Sequence, residues 1–482
     1  MISLILHPGR TALLEATLLA ASSGLILAQN YPPGAVDLRV IDRYIRTEMK
    51  LNQVPGLALA IVRGDAISTK AYGVKSLRSG EPMTADTPVE LASVSKPFTA
   101  LAVLQLVKAG KLNVELPVVR YLPELRSGGG SAMEKITVRH LLRHTSGFAR
   151  RNNFLVPCCG QPGEFDLGLA VRKLRAASFR HAPGARFAYA NSNYVLLAAL
   201  VERLSGLPFP AYMRTHVFLP LGMPRTTLDR TEALGWGLAE PHERQWGRVR
   251  PSPSRFFGWY GASLVKSTAS DMGRFLAAVL SRDAGILPAG MRLDPPYDWG
   301  WFITPRAEWL DGSPVLEHTG DVWGGNTAAL IAPERKLGVA VLLNAGVDRA
   351  GEIARGVLAR TAGRQGPDPG VSPRINDPDF WAICFTAASA FMLAGVVVYV
   401  ARVRAEFRRG ERRLAGMKDW RVRARVILLL GMAGCSLIVA LGGEGPPPAS
   451  LPSTLRVALP LLAASFAGIL TAVALSSLTA KS

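Results

Sequence analysis

The sequence predicts an α+β domain. Its antiparallel sheet is built from both ends of the domain, is flanked by helices and carries a helical insertion, and three transmembrane helices follow. Three observations lead there. Residues 56–73 (GLALAIVRGDAISTKAYG) hold two β-prone runs separated by Gly64 and Asp65, a hairpin signal, and residues 326–344 (NTAALIAPERKLGVAVLLN) repeat the arrangement with a turn around Pro333 and Glu334. Between these hairpins the apolar spacing is mostly helical, over residues 100–107, 137–142, 193–204 and 270–280. Beyond residue 379 come three apolar segments without a charge.

Taken in chain order, the first element is the stretch 1–28. Arg10 precedes the apolar run ATLLAASSGLILA, residues 16–28, which reads as an export signal with cleavage after Ala28 or as an uncleaved N-terminal anchor. Glu15 at its edge is a departure from that pattern. Residues 36–362 form the predicted globular domain. Residues 363–379 (GRQGPDPGVSPRINDPD) are too rich in proline and glycine for regular structure and read as a tether. The predicted spans are residues 380–401, 426–443 and 457–479, each about the ~20 apolar residues that a bilayer core demands.

Charge assigns the sides. The loop 402–425 is crowded with Lys and Arg, whereas the connection 444–454 has none, so the basic loop is expected in the cytoplasm. The domain ahead of residue 380 is then outside, which agrees with the signal-like N-terminus. The expectation is a multi-pass protein of the cell membrane with its large domain on the extracytoplasmic side.

The chain has 482 residues, is 49% hydrophobic and carries a formal net charge of +20. That charge is scattered, and its densest cluster is the loop just described, which argues against a nucleic-acid groove and for the bilayer as partner. The four cysteines, at 158, 159, 384 and 435, are too few and too oddly placed for a disulfide framework.

Ser93 and Lys96, in ELASVSKPFTALAVLQLV (90–107), stand three residues apart ahead of an apolar run. Pro97 is tolerated mainly in the first turn of a helix and so fixes the helix start beside Ser93. The pair then shares one face, and the serine N–H lies at the positive end of the helix. Two readings stay open on spacing alone. Ser93 is a nucleophile assisted by a desolvated Lys96, or Ser93 caps the helix and Lys96 is a solvated charge. Ser263 and Lys266 have the same spacing, but Thr268 and Asp271 form a capping pattern, so that pair sits in extended chain ahead of the next helix.

Two later stretches complete a constellation. PGARFAYANSNYVLLAALVERLSG (183–206) places Tyr189 and Asn191 in a Tyr-x-Asn arrangement, and LEHTGDVWGGNTAAL (316–330) places His318, Thr319 and Gly320 before the last hairpin. In this order the three elements resemble the serine β-lactamase and penicillin-binding protein superfamily, in particular its class C β-lactamase-like branch. ITVRHLLRHTSGF (136–148), GKLNVELPVVRYLPEL (110–125), KSTASDMGRFL (266–276) and YDWGWFI (297–303) are similar to that branch as well, so the resemblance covers roughly residues 36–362.

The resemblance implies a β-lactamase/transpeptidase-like fold. It also implies a nucleophile at Ser93, a base at Lys96 and a proton carrier at Tyr189. Asn191 would orient the substrate amide, and His318, Thr319 and Gly320 would line the sheet edge, with the N–H of Asp321 as second oxyanion donor. His318 departs from the lysine usual in the penicillin-recognising members. That shifts the expected substrate toward esters, amides or peptides without an obligatory carboxylate. A DD-carboxypeptidase or β-lactamase is the alternative, and a non-catalytic ligand-binding sensor coupled to the membrane is the alternative of another class.

No cofactor is expected. His140 and His144, at i and i+4, have zinc-ligand spacing but no evident third ligand, so no metal is expected either. The expected partners are a small-molecule or peptide substrate and the bilayer, with no nucleic acid, and the sequence carries no signal for oligomeric state.

Overall fold

Residues 57–62 are apolar without interruption, and a strand of that kind is stable only when both of its faces are covered. The computed structural model covers them. It describes residues 38–126, 132–149, 152, 155–156, 166–252, 258–281, 294–371, 378–410, 412–414 and 479–481. The strands are β1 (Gly56–Arg63), β2 (Ala66–Gly73), β3 (Val89–Glu90), β4 (His242–Gln245), β5 (Arg248–Pro251), β6 (Lys266–Ser267), β7 (Tyr297–Asp298), β8 (Trp301–Ala307), β9 (Ser313–Val322), β10 (Gly325–Ala332), β11 (Leu337–Leu343), β12 (Arg412–Leu414) and β13 (Thr479–Lys481). The α-helices are α1 (Leu38–Asn52), α2 (Lys96–Lys108), α3 (Val138–Leu142), α4 (Leu167–Leu174), α5 (Asn191–Ser205), α6 (Phe209–Tyr212), α7 (Arg230–Gly235), α8 (Ala269–Leu280), α9 (Ala350–Thr361) and α10 (Pro378–Arg408).

The main sheet has the order β2-β1-β11-β10-β9-β8-β7 and is antiparallel in every pairing. β1 pairs with β11, Leu57 opposite Leu343, so the first and last strands of the domain are neighbours and the expected sheet from both ends is present. Both predicted hairpins form, the first around Gly64 and the second through a 3₁₀ turn at Pro333–Arg335.

Alternation sorts the side chains into two cores. Ala58, Ala60, Val62, Ala340 and Leu342 join Phe275 and Leu276 of α8 and the helical region in one apolar cluster. Leu57, Leu59, Val339 and Val341 are equally buried outside that cluster, as are Ile41 and Ile45 of α1 and Ile353 and Val357 of α9. α1 and α9 touch at Gly356, where a Cβ would meet the Tyr44 hydroxyl at 2.2 Å. A buried ion pair joins the segment leading into α9 to α1, with Arg349 Nη2 2.6 Å and Nε 3.2 Å from the Glu48 carboxylate.

The four helical stretches expected from periodicity correspond to α2, α3, α5 and α8, with Thr137 and Thr268 as the N-caps of α3 and α8. Residues 363–371 carry no helix or strand. Among the described residues one unbroken helix, α10, is long and apolar enough to cross a membrane, over Phe380–Tyr399 at a mean hydropathy of 2.1. The expected segment 1–28, the span 426–443 and nearly all of the span 457–479 lie outside the described residues.

Candidate active site

Pro97 sits at the start of α2, as its missing N–H requires, and a 3₁₀ turn over Ala92–Ser95 leads into it. Ser93 is in that turn. Ala92, just before it, has φ 50°, a left-handed conformation that costs a non-glycine residue roughly 1 kcal/mol. Tertiary hydrogen bonds hold it there: the Leu91 N–H donates to Val265 O (2.8 Å), and Thr327 Oγ1 donates to Leu91 O (2.8 Å).

Gly320 of β9 explains the choice of residue at the adjoining sheet edge. A Cβ there would lie 2.1 Å from Leu91 O and 3.1 Å from Ala92 Cβ, so only glycine lets the edge close on the serine turn. Gly300, with φ +88°, plays the same part beneath α2, where a Cβ would meet Pro97 Cα at 2.6 Å.

Lys96 lies one helical turn beyond Ser93, and its Nζ is 2.9 Å from Ser93 Oγ and 2.9 Å from the Ala262 carbonyl. It is fully buried, and its ammonium position is 4.9 Å from the Tyr189 ring centroid. No carboxylate forms a salt bridge with it among the described residues. Burial therefore drives its pKa well below the ordinary lysine value. A neutral amine keeps one N–H for Ala262 O and turns its lone pair to the serine hydroxyl.

Tyr189 donates to Ser93 Oγ at 3.1 Å. Burial raises its pKa, so it stays a hydroxyl at neutral pH. Ser93, Lys96 and Tyr189 are thus brought together. Asn191 opens α5 two residues on, with its Oδ1 buried and without a hydrogen-bond partner. Thr319 and Asp321 are exposed on β9, with Gly320 buried between them.

His318 is buried and engaged at both nitrogens. Nδ1 lies 2.7 Å from Thr319 O, which can only accept, so Nδ1 carries the proton. Nε2, 3.2 Å from the Tyr297 hydroxyl, then accepts from it. Burial first, and the Lys96 charge second, push the imidazole down to about 3. At neutral pH His318 is therefore uncharged, and its ring offers no charge to a substrate.

The two histidines with zinc-ligand spacing have separate structural roles. His140 Nδ1 accepts the Thr137 N–H and completes the cap of α3. His144 Nδ1 accepts the Ala190 N–H (3.3 Å) and the Asn193 amide (2.9 Å), fixing the start of α5 and with it Tyr189 and Asn191. Its ring lies 4.3 Å from the Tyr189 ring. Among the described residues no group of three His, Cys, Asp or Glu is placed to hold a metal.

Ser263 and Lys266 do not form a second site. Ser263 Oγ accepts the Trp259 N–H, while Lys266 Nζ donates to Leu228 O and Leu264 O from the short β3–β6 ladder. Sequence reasoning missed the Ala262 carbonyl, Tyr297 and the anchoring role of His144. His144 and Tyr297 lie in stretches that carried the resemblance, but nothing in spacing assigns them contacts, and a backbone carbonyl has no sequence signal.

Comparison with known proteins identifies the family. The Beta-lactamase family model matches residues 41–363. The chain is 32% identical to the esterase EstB of Burkholderia gladioli, over 63% of this chain and 88% of that one. It is 28% identical to penicillin-binding protein 4 of Amycolatopsis lactamdurans, over 69% and 92%. Among solved structures it resembles the octameric penicillin-binding protein homologue from Pyrococcus abyssi, with a TM-score of 0.58 and 26% identity, over 73% of this chain and 81% of that one. The chain belongs to the Beta-lactamase family, within the serine β-lactamase and penicillin-binding protein superfamily.

Proposed function

We propose that the chain is an exported, membrane-anchored serine hydrolase of the class C β-lactamase-like type, cleaving an ester, amide or peptide bond through an acyl-enzyme on Ser93. The observation that carries the reading is the contact of one serine oxygen with both a buried lysine that has no carboxylate partner among the described residues and the hydroxyl of a partly buried tyrosine. Lys96 takes the Ser93 proton as Oγ attacks the carbonyl carbon. The N–H groups of Ser93 and Asp321 face the developing oxyanion, Thr319 and Gly320 line the edge, and the free Asn191 Oδ1 accepts from the substrate amide. Tyr189 relays the proton to the leaving group, which departs as alcohol or amine, and water repeats the sequence to release the acid. His318 acts on the substrate only by what it withholds: with no positive charge there, a carboxylate on the substrate gains nothing.

A DD-carboxypeptidase or β-lactamase is the second reading, favoured by similarity to a penicillin-binding protein. The intact Ser93, Lys96 and Tyr189 contacts argue for turnover over a silent sensor. Incubation with an activated ester, a fluorescent penicillin and a fluorophosphonate, beside Ser93→Ala, separates the three. Ester turnover lost in the variant by a factor on the order of 10⁵ supports the proposal. Rapid penicillin turnover moves it to the second reading, stable labelling with no turnover of any substrate makes it a sensor, and no labelling at all sinks the enzyme.

Helix α10 supports anchoring, its apolar window being long enough to span. β12 pairs antiparallel with β13, bringing together the two ends of residues 415–478. An even number of crossings between them, as spans 426–443 and 457–479 provide, fits that pairing. With the basic loop in the cytoplasm, the hydrolase domain is extracytoplasmic.

A further inference from the structure

Helix α1 carries charge that the hydrolase site does not use. Arg39, Arg43, Arg46 and Lys50 recur at i, i+4, i+7 and i+11, so they share one face, and all four are exposed. The stripe runs about 17 Å along the helix. Val40, Thr47 and Leu51 flank it, also exposed, while Ile41, Tyr44, Ile45 and Glu48 face the domain. Among the described residues Arg43, Arg46 and Lys50 form no salt bridge. Asp42 is held by Lys70 at 2.8 Å, and Glu48 is buried against Arg349.

The second observation is where the chain leaves the domain. The Gly370 N–H donates to Glu48 Oε1 (3.1 Å), and its carbonyl accepts from Asn52 Nδ2 (2.8 Å), so the tether is fastened to the buried side of α1. Pro378, where α10 starts, is eight residues further on. Fully extended, that stretch reaches at most about 28 Å. However the domain swings, the Glu48–Asn52 end of α1 stays within roughly that distance of the point where the apolar helix begins.

We infer that the basic face of α1 docks on the anionic headgroups of the membrane that the chain's own C-terminal helix enters. The inference rests on the anchored reading above. Tethering keeps the stripe close, and charge complementarity supplies the contact once it comes within the Debye length of about 8–10 Å. Each Lys or Arg near such a surface strengthens binding roughly fivefold, so loss of three lowers the ratio of docked to undocked domain about a hundredfold.

The test uses the full chain in phosphatidylcholine vesicles with or without phosphatidylglycerol. A fluorophore sits on Thr47→Cys in a background whose native cysteines are serine, and a headgroup-bound quencher reports contact. The expected result is quenching that requires phosphatidylglycerol, fades at high salt and is lost in Arg43→Gln/Arg46→Gln/Lys50→Gln, with hydrolysis of a soluble ester unchanged. Quenching equal in neutral and anionic vesicles, or equal in the triple variant, overturns the inference while leaving the anchor intact. Release of the unaltered chain by alkaline carbonate sinks the anchored reading and the inference with it. Charge-dependent binding to a soluble polyanion without lipid quenching replaces the membrane by a polyanion as occupant and also overturns it.

Discussion

Replacement of Gly320 by alanine tests whether the sheet edge and the serine turn form one device. The added Cβ would stand 2.1 Å from Leu91 O, 2.5 Å from Thr327 Oγ1 and 3.1 Å from Ala92 Cβ. Leu91 O is backbone, so relief requires β9 and the turn to separate by about 1 Å to reach ordinary contact, and the Thr327–Leu91 hydrogen bond stretches with it. Overpacking of this kind costs about 1–3 kcal/mol of stability. A displacement near 1 Å at the reacting centre costs about 10²-fold in rate, and loss of one oxyanion donor about 10²–10³-fold. The expectation is therefore a folded protein whose kcat/KM for an activated ester falls by roughly 10²–10³, with a matching fall in the fluorophosphonate labelling rate. Gly235→Ala is the control, because a Cβ there meets nothing within 4 Å. Gly320→Ala with kcat/KM within threefold of the unaltered protein, and an unchanged melting temperature, refutes the reasoning.

Lys96 makes two further predictions. Its folded pKa is lowered, so between that pKa and about 10.4 the unfolded chain binds more protons and stability rises with pH. Urea melts at pH 7 and pH 10 should show that rise in the unaltered protein and a flatter response in Lys96→Met. The kcat/KM profile should climb with pH as Lys96 loses its proton, with no step from His318, which titrates about 3; an acid limb unmoved in His318→Asn supports this, and a limb that disappears there contradicts it. Tyr297→Phe leaves His318 Nε2 buried without its donor and should cost about 1–3 kcal/mol in denaturant melts. Glu48→Gln strips the partner from buried Arg349 and should cost about 3–5 kcal/mol while leaving the ester KM unchanged.

Local rules were enough for much of this protein. The hairpin turn at Gly64, the helix start at Pro97 and the caps at Thr137 and Thr268 depend on residues within a few positions of each other, so spacing reads them directly. The same is true of rejecting Ser263 and Lys266, because Thr268 shows where their helix begins. α1 and α9 were not read from periodicity, although both bury one face; their burial depends on a sheet whose strands come from opposite ends of the chain.

The site divides in the same way. Sequence placed Ser93 and Lys96 on one face but left their chemistry open, because a lysine's proton affinity depends on what surrounds it. Only the fold surrounds Lys96 with Tyr189, Tyr194 and the Ala262 carbonyl and, among the described residues, gives it no carboxylate partner. The family resemblance marked His318 as a departure without saying what surrounds it. Its neutrality comes from burial first and the Lys96 charge second, while Tyr297, twenty-one residues earlier, occupies its Nε2. Residue identity and short spacing thus determined which groups were available; long-range packing, by removing water, decided which of them are charged and which are free to react.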